Sequence, residues 1–86
     1  MKAYRLTIST PTGEMFCGEV GFLSLRGIEG ELAIMANHTP FITAVLPCKC
    51  KLVFPDETEK MGEMQNGLLT VGENEVTLLS DSFQWI

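Results

Sequence analysis

Gly27-Ile28-Glu29-Gly30-Glu31-Leu32-Ala33-Ile34-Met35-Ala36-Asn37-His38-Thr39-Pro40-Phe41-Ile42-Thr43-Ala44-Val45 holds in one stretch the pattern that decides the fold. Two glycines, Gly27 and Gly30, bracket a tight connection. From Glu31 to Met35, Leu32 and Ile34 share one face, which is the period of two of an extended strand and not the 3.6 of a helix. Asn37-His38-Thr39-Pro40 interrupts that strand, because Pro40 has no amide donor and biases Thr39 toward extended geometry. Phe41 to Leu46 resumes an apolar run whose β-branched Ile42, Thr43 and Val45 favour a strand. Pro47 stops it.

The same period governs both flanks. Tyr4, Leu6 and Ile8 face one way from Ala3 to Ser9, and Arg5, Thr7 and Ser9 face the other. Pro11-Thr12-Gly13 reads as a turn, followed by a short strand from Glu14 to Cys17. Val20 to Leu25 is apolar on both faces apart from Ser24, which predicts a strand buried on both sides. Downstream, Cys48, Cys50, Leu52 and Phe54 share a face. Pro55-Asp56-Glu57-Thr58 forms a polar hairpin tip, and Lys60 to Gln65, Leu68 to Val71 and Glu75 to Ser80 supply further strands. Gly72-Glu73-Asn74 joins the last two as a hairpin loop, and Asp81 to Ile86 is expected to tuck back onto the sheet. The sequence therefore predicts an all-β domain spanning residues 1–86, a small two-sheet β-sandwich of about nine or ten short strands.

Composition sets the limits. A chain of 86 residues is one domain, and 45% hydrophobic content supplies a core. Eleven acidic and six basic residues give a formal charge of −5. The only close basic pair is Lys49 and Lys51, so the basic stripe of a nucleic-acid binder is missing. No apolar run approaches the roughly 20 residues needed to span a bilayer, and the opening from Met1 to Leu6 lacks a signal-peptide core. A soluble, intracellular protein without direct membrane insertion is expected.

Residues suited to chemistry are few and scattered. Three cysteines and one histidine form no paired-ligand spacing. Cys48 and Cys50 read as buried thiols, since free cysteine behaves as a small hydrophobe. His38 has no nucleophile-elbow pattern to serve. No phosphate loop occurs, because Gly27 and Gly30 precede a strand and not a helix. Met15, Met61 and Met64 read as core fillers. A non-catalytic chain without cofactor or metal is expected.

The segment from Gly27 to Val45 resembles the part of ATP synthase epsilon subunits that runs Gly-x-x-Gly-Glu-Leu-Gly-Ile and then Pro-Gly-His-Ala-Pro-Leu-Leu-Thr. Gly30, Glu31, Leu32, Ile34, His38, Pro40 and Thr43 fall at matching positions. Leu6, Ile8, Pro11 and Gly13 resemble that family's first hairpin, and Val20, Phe22, Leu23 and Ser24 its next strand. Gly67 to Val71 and Val76 to Asp81 resemble its closing strands. Ala36-Asn37 replaces the usual Pro-Gly, Asn66 replaces the first of two glycines, and Cys48 replaces a glycine after Pro47. Asparagine tolerates left-handed backbone, which makes the two asparagine changes mild; Cys48 has no such excuse. Many family members continue into a C-terminal helical pair that restrains hydrolysis or binds ATP. Because the sequence stops at Ile86, neither role is carried over.

The resemblance implies a non-catalytic rotor-stalk subunit of a proton- or sodium-translocating F-type synthase. It would join the gamma subunit to the c-ring and sit peripherally on the cytoplasmic face of the membrane through that complex. The candidate c-ring contacts are Glu29, Glu31 and His38; the candidate gamma contacts are Ser9, Thr10, Phe41 and Thr43. The plainer readings are a solvated strand-end charge for Glu31, a turn-holding side chain for His38 and ordinary core for Phe41. Two other functions stay open at this point. One is a stand-alone adaptor that binds another protein through a strand edge; the other is a metal or redox protein using Cys17, Cys48, Cys50 and His38.

Overall fold

The computed structural model describes residues 2–86, so Met1, part of the opening read above, lies outside the described residues. Every regular element among them is a strand: β1 (Tyr4–Thr10), β2 (Gly13–Val20), β3 (Phe22–Gly27), β4 (Gly30–Met35), β5 (Phe41–Val45), β6 (Cys48–Val53), β7 (Glu59–Met64), β8 (Gly67–Val71), β9 (Glu75–Ser80) and β10 (Phe83–Trp85). They form two layers, β4-β3-β6-β7-β10 and β5-β8-β9-β1-β2. All pairings are antiparallel except β1 with β9.

The layers meet at a corner. Gly27 of β3 faces Val45 of β5, the Ile28 amide donates to the Ala44 carbonyl at 3.2 Å, and the Leu46 amide donates to the Arg26 carbonyl at 3.0 Å. Hydrogen bonding therefore runs without a break from one layer into the other.

Alternation puts one face of each strand inside. Leu6, Ile8, Leu69 and Leu78 meet Leu23, Leu25, Ile34, Cys50, Leu52 and Met64 across the interior. Each fully buried leucine or isoleucine contributes roughly 1.5–3 kcal/mol relative to exposure. Tyr4 ties the layers by a second means, since its hydroxyl donates to the Ile34 carbonyl at 2.8 Å from inside the core. Burial holds the phenol's pKa above its ordinary range, which keeps that donor protonated.

The side between β2 and β10 is closed by aromatic rings. Trp85 lies edge-on to Phe16 and Phe83, Phe54 contacts Phe16, and Lys60 sets its ammonium 4.2 Å above the Trp85 ring. Phe83 rests on Gly62, where a Cβ would collide with the ring. The expected return of the C-terminal residues is thus a strand, β10, paired with β7.

Several expectations are corrected. The strand placed at Glu14 to Cys17 runs from Gly13 to Val20. The run from Val20 to Leu25 is broken at Gly21, whose amide bonds to the Val53 carbonyl. Val20 therefore closes β2, and β3 buries only one face, with Phe22 and Ser24 half-exposed. Met64 is core, but Met61 points outward from β7 because it is odd by one residue from the buried Gly62 and Met64. Of the thiols, Cys50 is buried and Cys48 half-buried, whereas Cys17 is exposed. Cys48 opens β6 opposite Met64 and its sulfur accepts the Arg26 amide at 3.4 Å, so it is a strand residue and not a turn residue.

Burial, aided by neighbouring Cys48, pushes the Cys50 thiol up to about 11 from an ordinary 9.0. A folded value above the unfolded one means that this contribution is complete below pH 9.0 and is lost as pH rises through about 11. Denaturant midpoints measured across that window should fall with pH, and less steeply in Cys50→Ala after allowance for its lower baseline.

Candidate functional site

Two ends of the sandwich follow from the register. One end gathers the β3–β4 hairpin, the end of β5, the start of β8 and the ends of β9 and β1, since Gly27 faces Val45, Val45 faces Gly67, Gly67 faces Ser80 and Ser9 faces Leu79. The other end gathers Tyr4, Phe22, Met35, Phe41 and Val71.

Glu29 and Glu31 stand at the first end, both exposed, beside an exposed Ile28 at the hairpin tip. Gly30 takes a φ of +124°, a value that L side chains rarely adopt. Arg26 faces Glu31 across the hairpin. His38 is elsewhere. It follows Met35, about 13 Å along β4 from Glu31 at ~3.3 Å per residue, and belongs to the opposite end. There its Nδ1–H donates to the Thr39 carbonyl at 2.8 Å and its ring lies 5.1 Å from that of Phe41. Asn37 holds the bend with a φ of +66°, so asparagine here fills the left-handed position its family pattern gives to glycine. The structure brings Glu29 and Glu31 together and leaves His38 apart.

Ser9 and Thr10 lie at the first end, on β1. Phe41 and Thr43 share the inward phase of β5 with buried Val45, and Phe41 packs against the core. The residues β5 turns outward are Ile42 and Ala44.

Those two belong to a surface the sequence reading missed. Across the outer face of β5-β8-β9-β1-β2, one row runs Ile42, Thr70, Thr77, Thr7 and Cys17, and the next runs Ala44, Leu68, Leu79 and Ser9. From β5 through β1 neither row carries an acidic or basic side chain, although the chain has seventeen such residues, eleven acidic and six basic; on β2 the second row ends in one, Glu14, opposite Ser9. Ile42 is 67% exposed, Leu79 47% and Leu68 42%. The third row, Glu75, Arg5 and Glu19, is wholly charged and bounds the patch toward the other end. An uncharged apolar and hydroxyl surface on an acidic protein is suited to covering by another protein. Where this face meets the first end, an open groove of about 540 Å³ runs between Ser9-Thr10-Pro11 and Asn66-Gly67-Leu68, over Leu79 and up to Asp81.

The outer face of the opposite layer differs. Glu31, Arg26, Lys49, Lys51, Glu59 and Glu63 put both signs of charge on it, and Lys51 pairs with Glu59 at 3.5 Å. Among the described residues no group of three or more His, Cys, Asp and Glu side chains could hold a metal ion. Cys17 lies outside one layer and Cys50 inside the core, so the thiols do not converge with His38. No helix among the described residues is long and apolar enough to cross a membrane.

A family model described as the ATP synthase delta/epsilon chain β-sandwich domain matches residues 3–86. The sodium-ion-specific ATP synthase epsilon chain of Acetobacterium woodii is 38% identical over 84 residues, covering 98% of this chain and 63% of that protein. The ATP synthase epsilon chain of Clostridium novyi is 36% identical over 84 residues, covering 98% and 64%. This chain thus spans a little under two thirds of the length of these curated relatives. Among solved structures, a chain of the Euglena gracilis mitochondrial ATP synthase, in its OSCP/F1/c-ring assembly, superposes with a TM-score of 0.88 at 16% identity, over 93% of this chain and 51% of that one. A chain of the Tetrahymena thermophila mitochondrial ATP synthase central stalk and c-ring gives 0.79 at 15%, over 93% and 64%. At such identities the likeness speaks for the fold.

Proposed function

The chain belongs to the family of ATP synthase delta/epsilon-chain β-sandwich domains, and from that premise we propose that it is a non-catalytic subunit of the rotor stalk, joining a gamma subunit to a ring of c subunits. The observation that carries this reading is the uncharged outer face of β5-β8-β9-β1 lying beside an acidic hairpin end. One body thereby offers two adjoining surfaces of different chemistry. The uncharged face, with Ile42, Leu68 and Leu79, suits the gamma subunit, with Ser9 and Thr10 at its margin. The hairpin end, with Ile28, Glu29 and Glu31, suits polar loops of the ring that carry basic residues. In this role the domain works by stiffness, and rotation driven by ions at the ring passes through it to the stalk. Its place is peripheral, on the cytoplasmic face of the membrane, through the complex.

His38 provides an internal comparison, because it lies at the far end from Glu29 and Glu31. Synthase reconstituted with Glu31→Lys should bind the ring about 3- to 10-fold less tightly and couple less efficiently, since reversal turns a contact worth roughly 0–1 kcal/mol into a repulsion. His38→Ala should leave ring binding unchanged. Normal assembly of the synthase without this subunit would sink the proposal.

A further inference from the structure

We propose that the groove at the corner between the uncharged face and the hairpin end seats a basic side chain, arginine or lysine, of the same partner that covers that face. The proposal rests on the reading of the face as the stalk contact. It adds the chemistry of one specific contact and its place.

The groove has a two-part lining. Pro11, Leu68 and Leu79 supply apolar surface, and the single charged residue of the lining is Asp81. The remaining lining residues, Ser9, Thr10, Asn66, Gly67 and Ser80, are neutral and offer hydrogen-bonding groups. No basic residue lines it, and Asp81 is exposed, with no ion pair within 4.0 Å among the described residues. A long side chain with an aliphatic stem and a cationic head matches this sequence of surfaces: the stem covers leucine and the head reaches carboxylate. A neutral apolar side chain would leave the carboxylate desolvated and unpaired, and an acidic one would be repelled.

The carboxylate is held by a stiff wall. The Asp81 amide donates to the Asn66 carbonyl at 3.0 Å, and the Gln65 amide donates to the Ser82 carbonyl at 3.3 Å. Beneath them the buried Ser80 hydroxyl donates to Ser82 at 2.8 Å. These bonds staple the β7–β8 connection to the β9–β10 connection, so the Asp81 backbone is fixed before any partner arrives. The side chain itself makes no bond that folding requires, and the groove is continuous with the uncharged face through Leu68 and Leu79.

The test measures binding of the full chain to the isolated gamma subunit of its own synthase, at salt concentrations from about 0.01 to 0.15 M, a range over which screening of exposed charges rises steeply. Asp81→Asn should weaken binding about 10-fold at low salt and flatten the salt dependence, with unchanged thermal unfolding. Glu63→Gln, which removes the same charge from the outer face of the other layer, should bind as the parent chain does. Ile42→Asp reports on the face itself. Full-strength binding by Asp81→Asn alongside failure of Ile42→Asp would remove the basic contact and leave the face reading standing. Equal losses in Asp81→Asn and Glu63→Gln would also overturn it, since long-range attraction alone explains that result. Undiminished binding by Ile42→Asp would overturn both.

Discussion

Ile42→Asp combined with Leu79→Asp is expected to abolish capture of the gamma subunit, with affinity lowered more than about 100-fold, while the isolated domain melts within a few degrees of the parent. The two side chains lie in adjacent rows of the uncharged face and are 67% and 47% exposed. Truncating a central apolar anchor typically costs an interface about 2 kcal/mol or more. Aspartate goes further, because a carboxylate pressed against an apolar partner must be desolvated without a counter-charge. The fold should tolerate the change, since neither side chain enters the core and the cost of a poor strand former at an exposed site is about 1 kcal/mol or less. Pull-down and calorimetric melting of the same sample separate the two effects. Retention of the gamma subunit by the double variant would show that the face is solvent surface.

Gly67→Ala is expected to destabilise the domain by about 2–3 kcal/mol, the cost typical of forcing extra atoms into a packed site, and to lower its melting temperature by more than about 10 °C. Gly67 opens β8 between Val45 and Ser80, where the strand comes so close to β9 that a Cβ would collide with the Leu79 carbonyl. That obstacle is backbone within a ladder and cannot swing aside as a flexible side chain would. It also explains why the Gly-Gly pattern of the family tolerates Asn66 in this chain. The first position requires no unusual backbone, as Asn66 is not among the residues with positive φ, whereas the second admits no side chain at all. An alanine variant that melts with the parent would mean that β8 and β9 can separate at this end at little cost.

The strands were legible because alternation survives wherever one phase is apolar and the other polar, as at Tyr4-Arg5-Leu6-Thr7-Ile8. The uncharged face was hidden for the same reason in reverse. In Phe41-Ile42-Thr43-Ala44-Val45, Leu68-Leu69 and Leu78-Leu79 both phases are apolar, so the period is visible but the phase is not. Of the expected gamma contacts Ser9, Thr10, Phe41 and Thr43, Ser9 lies in a row of this face, whereas Phe41 and Thr43 point inward from β5 and Ile42 points out. One signal was present. A strand in a two-layer sandwich has only one face to bury, so three strands with apolar residues in both phases imply a second covering. Glu31 and His38 were grouped because seven positions in sequence suggest adjoining turns. A strand between them keeps them apart, and strand length is the quantity that sequence marks least sharply.

The corner between β3 and β5 has a mechanical meaning. In a sandwich whose layers touch only through side chains, a sideways load on one layer is resisted by the sliding of interdigitated hydrocarbon. Here the hairpin bearing Glu29 and Glu31 is anchored to the strand bearing Ile42 through main-chain bonds at Gly27, Ile28 and Leu46. Torque entering at the tip would therefore reach the opposite flank along a nearly inextensible path, with little shear lost between the layers.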